Sequence, residues 1–199
     1  MQLYTPSERV NPGKKRVKAN NKSTSYPLPD DSSKSLSANI DNLNEHWLTK
    51  YIDVSLGGPG NQAKRAVMNL ASSSGKKPRF NKMSGIQEFN NAILLFVNID
   101  SSNNYNNVFS DEGRYMTWFA QPTQSEDSPV IRRLIDTREH SSKDRVGLFV
   151  RPPGQPYVYL GELTYVSHNP KTKPVAFTWE LRHFHDIKQY PDVAELLRN

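Results

Sequence analysis

Three apolar runs within residues 146–181 carry the clearest pattern of the chain. PPGQP and SHNPKTKP separate the runs, and Pro, Gly and Asn at that density force the chain to turn. In the last run, apolar residues alternate with Ala, Thr, Glu and Arg: Val175, Phe177, Trp179 and Leu181. Because side chains of a strand alternate between its two faces, the pattern predicts three consecutive strands, the last with one face in the core.

The middle run, 157–166, carries a row of large side chains with one interruption. A period of two assigns four of them to one face: Tyr157, Tyr159, Leu163 and Tyr165. Gly161 leaves a gap between them. A glycine inside a strand indicates a bulge or the close approach of another segment.

Shorter patterns predict further strands. Residues 91–100 (NAILLFVNID) form a continuous apolar run of strand length, typical of a strand buried on both faces and central in its sheet. Residues 115–120 (YMTWFA) predict another short strand. The periodicity of residues 130–135 (VIRRLI) fits a strand or a helical turn equally well.

Three segments have helical spacing. Apolar residues at 47, 48, 51 and 52 fit one or two turns, and Pro191 begins a short helix over 191–198. Residues 61–71 (NQAKRAVMNLA) predict an amphipathic helix with Lys64 and Arg65 off an apolar face that consists of Ala63, Ala66, Val67 and Leu70. We therefore expect one β-rich α+β domain over 45–199, with a strongly bent or partly closed, β-barrel-like sheet of at least five strands and a few short helices.

The excess of positive charge lies in the first part of the chain. Residues 1–84 hold 14 Lys and Arg residues against 6 Asp and Glu, a formal charge of +8, whereas residues 85–199 hold 12 against 14, or −2. Residues 1–44 are rich in Ser, Asn, Lys, Asp and Pro and poor in large apolar residues, which predicts a disordered basic arm. Such an arm could meet a polyanion or could be charged for solubility alone.

Two basic clusters are candidates for phosphate contact. The first, PGKKRVK at 12–18, supplies Lys14, Lys15, Arg16 and Lys18, and it also resembles the clusters that import receptors recognise, which would make a eukaryotic protein nuclear. In the second, SSSGKKPRFNK, Lys77 and Arg79 could hold phosphates while Phe80 stacks on a base. Phe80 as a packing anchor is the alternative.

Cysteine and apolar segments restrict the class of protein. The chain has no cysteine, so disulfides and thiolate metal sites are excluded and an intracellular protein is favoured. The first residues lack the apolar centre of a secretory signal, and no apolar run approaches the roughly 20 residues that cross a bilayer.

Catalytic patterns are weak. We find no nucleophile beside a base and no metal cluster with convincing spacing, and His168, His183 and His185 lack a matching carboxylate pattern. Glu162 and Glu180 are on candidate neighbouring strands, but no Lys follows at a spacing typical of nucleases. We therefore expect no cofactor and no metal, and an enzyme is the less favoured hypothesis.

A binding function rests on residues at strand ends. Five of them, each near a Pro-containing turn, are predicted to converge on one pocket where they stack on bases and hold a phosphate: Trp118, Gln121, Arg151, Tyr157 and Tyr159. A β core rich in aromatic residues is the plain alternative. A protein–protein adaptor that docks a larger assembly is a further one.

Five ordered blocks resemble a known family: LLFVNI, MTWFAQP, VGLFVRP, YVYLGELTY and KPVAFTWEL. Over about residues 85–184 the chain is similar to a domain of unknown function found at the C-terminal end of bacterial proteins that join a phospholipase-D-type nuclease to a DEAD/DEAH-box helicase. This chain has no helicase or nuclease motif of its own. The resemblance implies an accessory module that binds DNA or RNA beside a helicase or nuclease partner, and it assigns no catalytic residue.

Overall fold

The computed structural model describes residues 41–44, 55–56, 61–74, 80–99, 107–152 and 154–198. The strands in this part of the chain are β1 Ser55–Leu56, β2 Ile86–Glu88, β3 Ala92–Asn98, β4 Val108–Ser110, β5 Tyr115–Phe119, β6 Arg145–Arg151, β7 Tyr157–Asn169 and β8 Ala176–Leu181. The helices are α1 Asn61–Ala71, α2 Pro129–Asp136, α3 Phe184–Ile187 and α4 Pro191–Leu197, with a 3₁₀ turn at Asp111–Gly113.

The strands form one mixed sheet in the order β2-β3-β6-β7-β8-β5-β4, and β1 pairs with β7 outside that path. β3 and β6 run parallel, and the other pairs are antiparallel. Among the described residues, β2 and β4 are the two edge strands and do not pair with each other, so the sheet is not closed. The sheet is bent, because Gln121 after β5 donates a hydrogen bond of 2.9 Å to Ser84 before β2. The predicted β-rich α+β class is confirmed.

Two apolar cores lie on opposite faces of β3. Ile93, Leu95 and Val97 belong to the larger core, which includes Trp118 and Trp179. The alternate residues of β3 belong to the smaller core: Ala92, Leu94 and Phe96. Burial on both faces is thus confirmed, although β3 is second from the sheet edge rather than central.

A bulge in strand β7 shifts the alternation of its side chains by one residue. Tyr159 pairs with Phe149 and Gly161 with Leu148, so that Leu160 is the extra residue. Gly161 has a φ of +90°, which only glycine adopts readily. The prediction that one face holds both tyrosines and Leu163 is therefore wrong: Tyr157 and Tyr159 lie in the smaller core, and Leu163 lies in the larger one. The bulge predicted from the glycine is confirmed.

Helix α1 turns a different face to the sheet than its sequence predicts. Its buried residues follow the helical spacing 64, 67, 68 and 71, and Leu70 is 46% exposed. Lys64, predicted to lie off the apolar face, is only 5% exposed. The long apolar stem of a lysine can pack in a core if the ammonium group finds acceptors there.

Residues 41–44, assigned to the arm by composition, pack against α1. Leu43 is 2% exposed, and the amide of Asn44 donates to the carbonyl of Ala71 over 2.8 Å. Although burial opposes it, hydrogen bonds from the hydroxyls of Ser72, Ser74 and Ser73 hold the pKa of Asp41 at about 2. The folded part of the chain therefore begins no later than Asp41, and residues 1–40 and 45–54 lie outside the described residues.

The remaining helices cover the larger core. The undecided segment 130–135 is helical within α2, and the helix predicted after Pro191 is confirmed as α4. Arg133 joins α2 to the sheet through Glu88 at 2.8 Å and Asp144 at 2.5 Å. No helix in the described part of the chain is long and apolar enough to span a membrane.

Candidate nucleic-acid interface

The parallel strands β3 and β6 end side by side at two polar residues. Asn98 and Arg151 are register partners, and Arg151 Nε donates to Asn98 Oδ1 over 2.7 Å. Asn98 is exposed and Arg151 is half-buried. Ligands often bind outside the carboxyl ends of parallel strands, so this edge is a reasonable location for a site.

An aromatic ring holds the Arg151 guanidinium. The Cζ atom of Arg151 lies 4.3 Å from the centroid of the Tyr157 ring. The Tyr157 hydroxyl donates to Asn98 Oδ1 over 3.3 Å. Burial raises the pKa of Tyr157, against the opposing effect of Arg151, so the phenol stays neutral. Arg151 is thus fixed in direction while part of it remains accessible.

A second cation lies on the same face of the sheet. Lys64 Nζ donates to the carbonyls of Lys82 at 3.0 Å and Ser84 at 2.8 Å and lies 5.2 Å from the Phe96 ring centroid. Burial lowers the pKa of Lys64 to about 8, and the charge of Arg151 adds to the shift. At neutral pH Lys64 is still mostly protonated.

Phe96 and Tyr157 join the two cations. Their rings meet edge to face at a centroid distance of 5.1 Å. We call Lys64, Phe96, Arg151 and Tyr157 the cation–aromatic cluster. Both rings are buried, so the cluster offers a ligand the positive charge of Arg151, the property by which proteins hold the phosphates of a nucleic-acid strand.

An open cleft of about 460 Å³ lies next to the cluster, and we call it the terminal cleft. The end of β3 and the segment before β2 form one side, and the end of β5 with the following turn forms the other. Its lining residues are Met83, Gly85, Ile86, Phe96, Val97, Asn98, Asn107, Trp118, Phe119, Ala120, Gln121 and Pro122. Asn98 belongs to the cleft and also contacts Arg151, so the two features are continuous.

The structure divides the five predicted pocket residues. Trp118 and Gln121 line the terminal cleft, whereas Arg151 and Tyr157 belong to the cation–aromatic cluster. Tyr159 is fully buried, with its ring 4.8 Å from that of Phe149. Convergence of all five on one pocket is therefore wrong, because Trp118 packs in the larger core and the two tyrosines pack in the smaller core on the other face.

The predicted basic residues cannot be placed. Lys14, Lys15, Arg16 and Lys18, together with Lys77 and Arg79, lie outside the described residues. Phe80 is half-buried and packs against the smaller core, as the packing alternative expects.

Sequence reasoning missed four residues of the site: Lys64, Ser84, Asn98 and Asn107. The helical row 64, 67, 68, 71 was a signal for Lys64, because its other three members are apolar. Asn98 follows the apolar run of β3 directly, as site residues at strand ends commonly do. Nothing in the local pattern distinguishes Ser84 or Asn107 from loop residues.

The carboxylates considered for catalysis are engaged by arginines. Glu162, whose side chain is 5% exposed, accepts two hydrogen bonds from Arg145, at 2.9 and 2.5 Å, and contacts Arg182 at 3.4 Å. Glu180 pairs with Arg114 at 2.7 Å. These ion pairs link β6, β7 and β8, and each carboxylate contacts at least one arginine.

The histidines are dispersed. His168 contacts the Tyr165 hydroxyl at 2.6 Å and Glu126 at 2.7 Å. Within the described ranges, no group of three or more His, Asp and Glu residues has the arrangement of a metal site.

Comparison with protein families matches residues 63–190 to a domain of unknown function, DUF3427. The match is wider at both ends than the 85–184 expected from the sequence blocks. It includes Lys64, Asn98, Gln121 and Arg151, so the cluster and the cleft lie inside it. No curated protein matches the chain.

Proposed function

Because the chain belongs to the DUF3427 family, a domain of unknown function, we propose its function from the site itself: non-catalytic binding of a nucleic-acid strand. In this proposal Arg151 contacts a backbone phosphate and the terminal cleft receives a base. The basic stretch before the described fold adds affinity that is independent of sequence.

The cation–aromatic cluster is the observation that carries this proposal. Protonated Lys64 lies beneath the surface and contributes positive potential, and Arg151 is the accessible cation above it. The contacts with Asn98 and Tyr157 fix the guanidinium before a ligand arrives. Such preorganisation lowers the entropic cost of each contact with a phosphate.

The engaged carboxylates favour binding over cleavage. A metal-dependent nuclease uses carboxylates that can coordinate its ions, and Glu162 and Glu180 contact arginines instead. DNA and RNA are both compatible with the cluster, since both carry the phosphate that Arg151 would contact.

The test is an Arg151→Ala variant of the full chain. We expect its affinity for a single-stranded DNA or RNA oligonucleotide to fall by about tenfold or more, the loss typical of one good contact from arginine. Fluorescence anisotropy over a series of salt concentrations measures the affinity and its salt dependence, which should become less steep.

Two further variants make this test specific. Arg132→Ala removes an exposed arginine of α2 that pairs with Asp127 and lies outside the site, and it should bind as the wild type does. Arg151→Lys keeps the charge without the forked geometry and should recover part of the affinity. Wild-type affinity in Arg151→Ala, with its Tm close to that of the wild type, would refute the proposal.

A further inference from the structure

We propose that the terminal cleft selects a pyrimidine base of the bound strand by means of three side-chain amides, those of Asn98, Asn107 and Gln121. This inference rests on the proposed function and adds the class of base to it. The cleft volume of about 460 Å³ lies in the range of roughly 300–1,000 Å³ that is typical of sites for small organic ligands.

The orientation of the Gln121 amide follows from its neighbour Ser84. The Ser84 hydroxyl donates its single hydrogen to the carbonyl of Ile86 over 2.9 Å, so its oxygen acts as an acceptor toward Gln121. Gln121 Nε2 therefore points to Ser84, at 2.9 Å. Gln121 Oε1 remains as an acceptor and has no hydrogen-bond partner within the described part of the chain.

In Asn98 and Asn107 the amide oxygen, and not the amide nitrogen, is the atom that already has a hydrogen bond. Asn98 Oδ1 accepts from Arg151 Nε at 2.7 Å and from the Tyr157 hydroxyl at 3.3 Å. Asn107 Oδ1 accepts from the backbone amide of Phe119 at 3.1 Å. These contacts fix the oxygens, so each Nδ2 group is left as a donor without a partner among the residues that the structure describes.

The cleft thus presents two amide donors and one amide acceptor. The Watson–Crick edge of uracil or thymine offers two acceptors and one donor, and that of cytosine offers the same numbers in another order. Guanine offers two donors and one acceptor, and adenine offers one of each. Only the pyrimidines match all three amides, and an unmatched polar group in a binding site costs affinity.

The rest of the lining is consistent with a base attached to a strand. Phe119 is half-buried and lines the cleft, so a planar ring can stack on it, whereas Trp118, its neighbour in β5, packs in the larger core. Arg151, which contacts Asn98 directly, lies where it can meet the phosphate of the same strand. A free nucleotide has the same chemistry without neighbouring phosphates, so the test must separate the two.

The experiment uses the full chain and labelled homopolymers of about ten nucleotides. We expect oligothymidine and oligocytidine to bind at least about tenfold more tightly than oligoadenosine by fluorescence anisotropy. Gln121→Leu removes the single acceptor, to which thymine, cytosine and adenine each offer a donor, so all three homopolymers should bind more weakly to this variant. Gln189→Leu is the control, because Gln189 is exposed and does not line the cleft, and it should bind every homopolymer as the wild type does.

The outcomes separate this inference from the proposed function. Equal binding of all homopolymers, with no effect of Gln121→Leu, would overturn base selection and leave strand binding intact. No binding to any homopolymer would overturn both. Thymidine monophosphate that competes as strongly as its oligomer would assign the cleft to a free nucleotide and overturn the strand-bound base. If Gln121→Leu does not fold, Asn107→Asp, which turns a donor into an acceptor, should weaken oligothymidine binding selectively, and unchanged binding would overturn the inference.

Discussion

The most informative single residue is Lys64, since burying a charged group has a cost that titration can measure. Its ammonium group is satisfied by two backbone carbonyls and an aromatic face, at 2.8, 3.0 and 5.2 Å. These contacts explain why a cation remains in a core that also holds Phe96 and Phe149. They do not repay the whole desolvation cost, because burial still lowers the pKa to about 8.

This depressed pKa predicts how stability changes with pH. Between pH 8 and the ordinary lysine value of 10.5, the unfolded chain binds more protons at Lys64 than the folded chain does, so the free energy of unfolding should rise with pH across that window. The rise contributed by this residue is on the order of 3 kcal/mol, and below pH 8 it is absent. Urea unfolding at several pH values measures it.

Lys64→Met should remove that contribution, so that its stability rises less from pH 8 to 10.5 than that of the wild type. Lys82→Met provides the control, because Lys82 is exposed and only its backbone carbonyl contacts Lys64. Parallel curves for the wild type and Lys64→Met would contradict the argument.

At the scale of the element, β7 depends on Gly161. Its φ of +90° is unfavourable for other residues, and a Cβ atom there would lie 2.9 Å from Cδ2 of His183. Gly161→Ala should therefore lower the free energy of unfolding by roughly 2–3 kcal/mol, through backbone strain and the displacement of His183. Thermal and urea unfolding measure the loss.

Gly154 offers a matched comparison. It has a similar φ of +74°, but nothing lies within 4 Å of a Cβ placed there. Gly154→Ala should cost only the backbone term, about 1 kcal/mol. If the two variants lost equal stability, close packing of His183 on β7 would have no energetic role.

Elements with one regular period could be predicted from the sequence. Trp179 and its alternating neighbours in β8 all lie in the larger core, as the period of two requires. The faces of β7 could not be predicted, because the position of the extra residue at Leu160 depends on pairing with β6. The buried face of α1 was predicted wrongly because a charged residue, Lys64, was not expected to belong to the buried row 64, 67, 68 and 71.

The candidate site was predictable in its parts and not in its arrangement. Strand ends near proline turns identified Arg151, Trp118 and Gln121, and two of them do line one cleft. Which strand ends come together depends on how the sheet bends, as the contact of Gln121 with Ser84 shows, and no local pattern records this. Asn98 and Asn107 matter only because contacts distant in sequence, with Arg151 and Phe119, orient their amides.

For the whole molecule, the boundary between arm and fold can be tested by two deletions. Removing residues 1–40 takes away seven Lys and Arg residues against three Asp and Glu and leaves Leu43 in place. We expect this protein to keep its Tm but to bind oligonucleotides more weakly and with a less steep salt dependence. Anisotropy titrations at several salt concentrations measure the change.

Removing residues 1–44 should also lower stability. It deletes buried Leu43 and the hydrogen bonds between Asp41 and the serines that follow α1. The loss of Leu43 alone should lower the free energy of unfolding by about 2–5 kcal/mol, the usual cost of truncating a buried leucine. Equal Tm values for the two deletions would show that residues 41–44 do not stabilise the fold. An unchanged salt dependence after removal of 1–40 would show that the arm does not meet the polyanion.

The parallel pairing of β3 with β6 has a consequence for the folding of the chain. β6, β7 and β8 follow one another along the chain, and each pairs with the next, so they can assemble through short connections. β3 reaches β6 only by closing a loop in which paired residues are 53 positions apart, as Asn98 and Arg151 are. The terminal cleft takes its walls from β3 and β5, both of which join this three-strand unit from outside it. All the lining residues of the cleft lie within 83–122, but β6, β7 and β8 stand between β3 and β5 in the sheet. A peptide of residues 83–122 would therefore contain the lining and still lack the strands that position it.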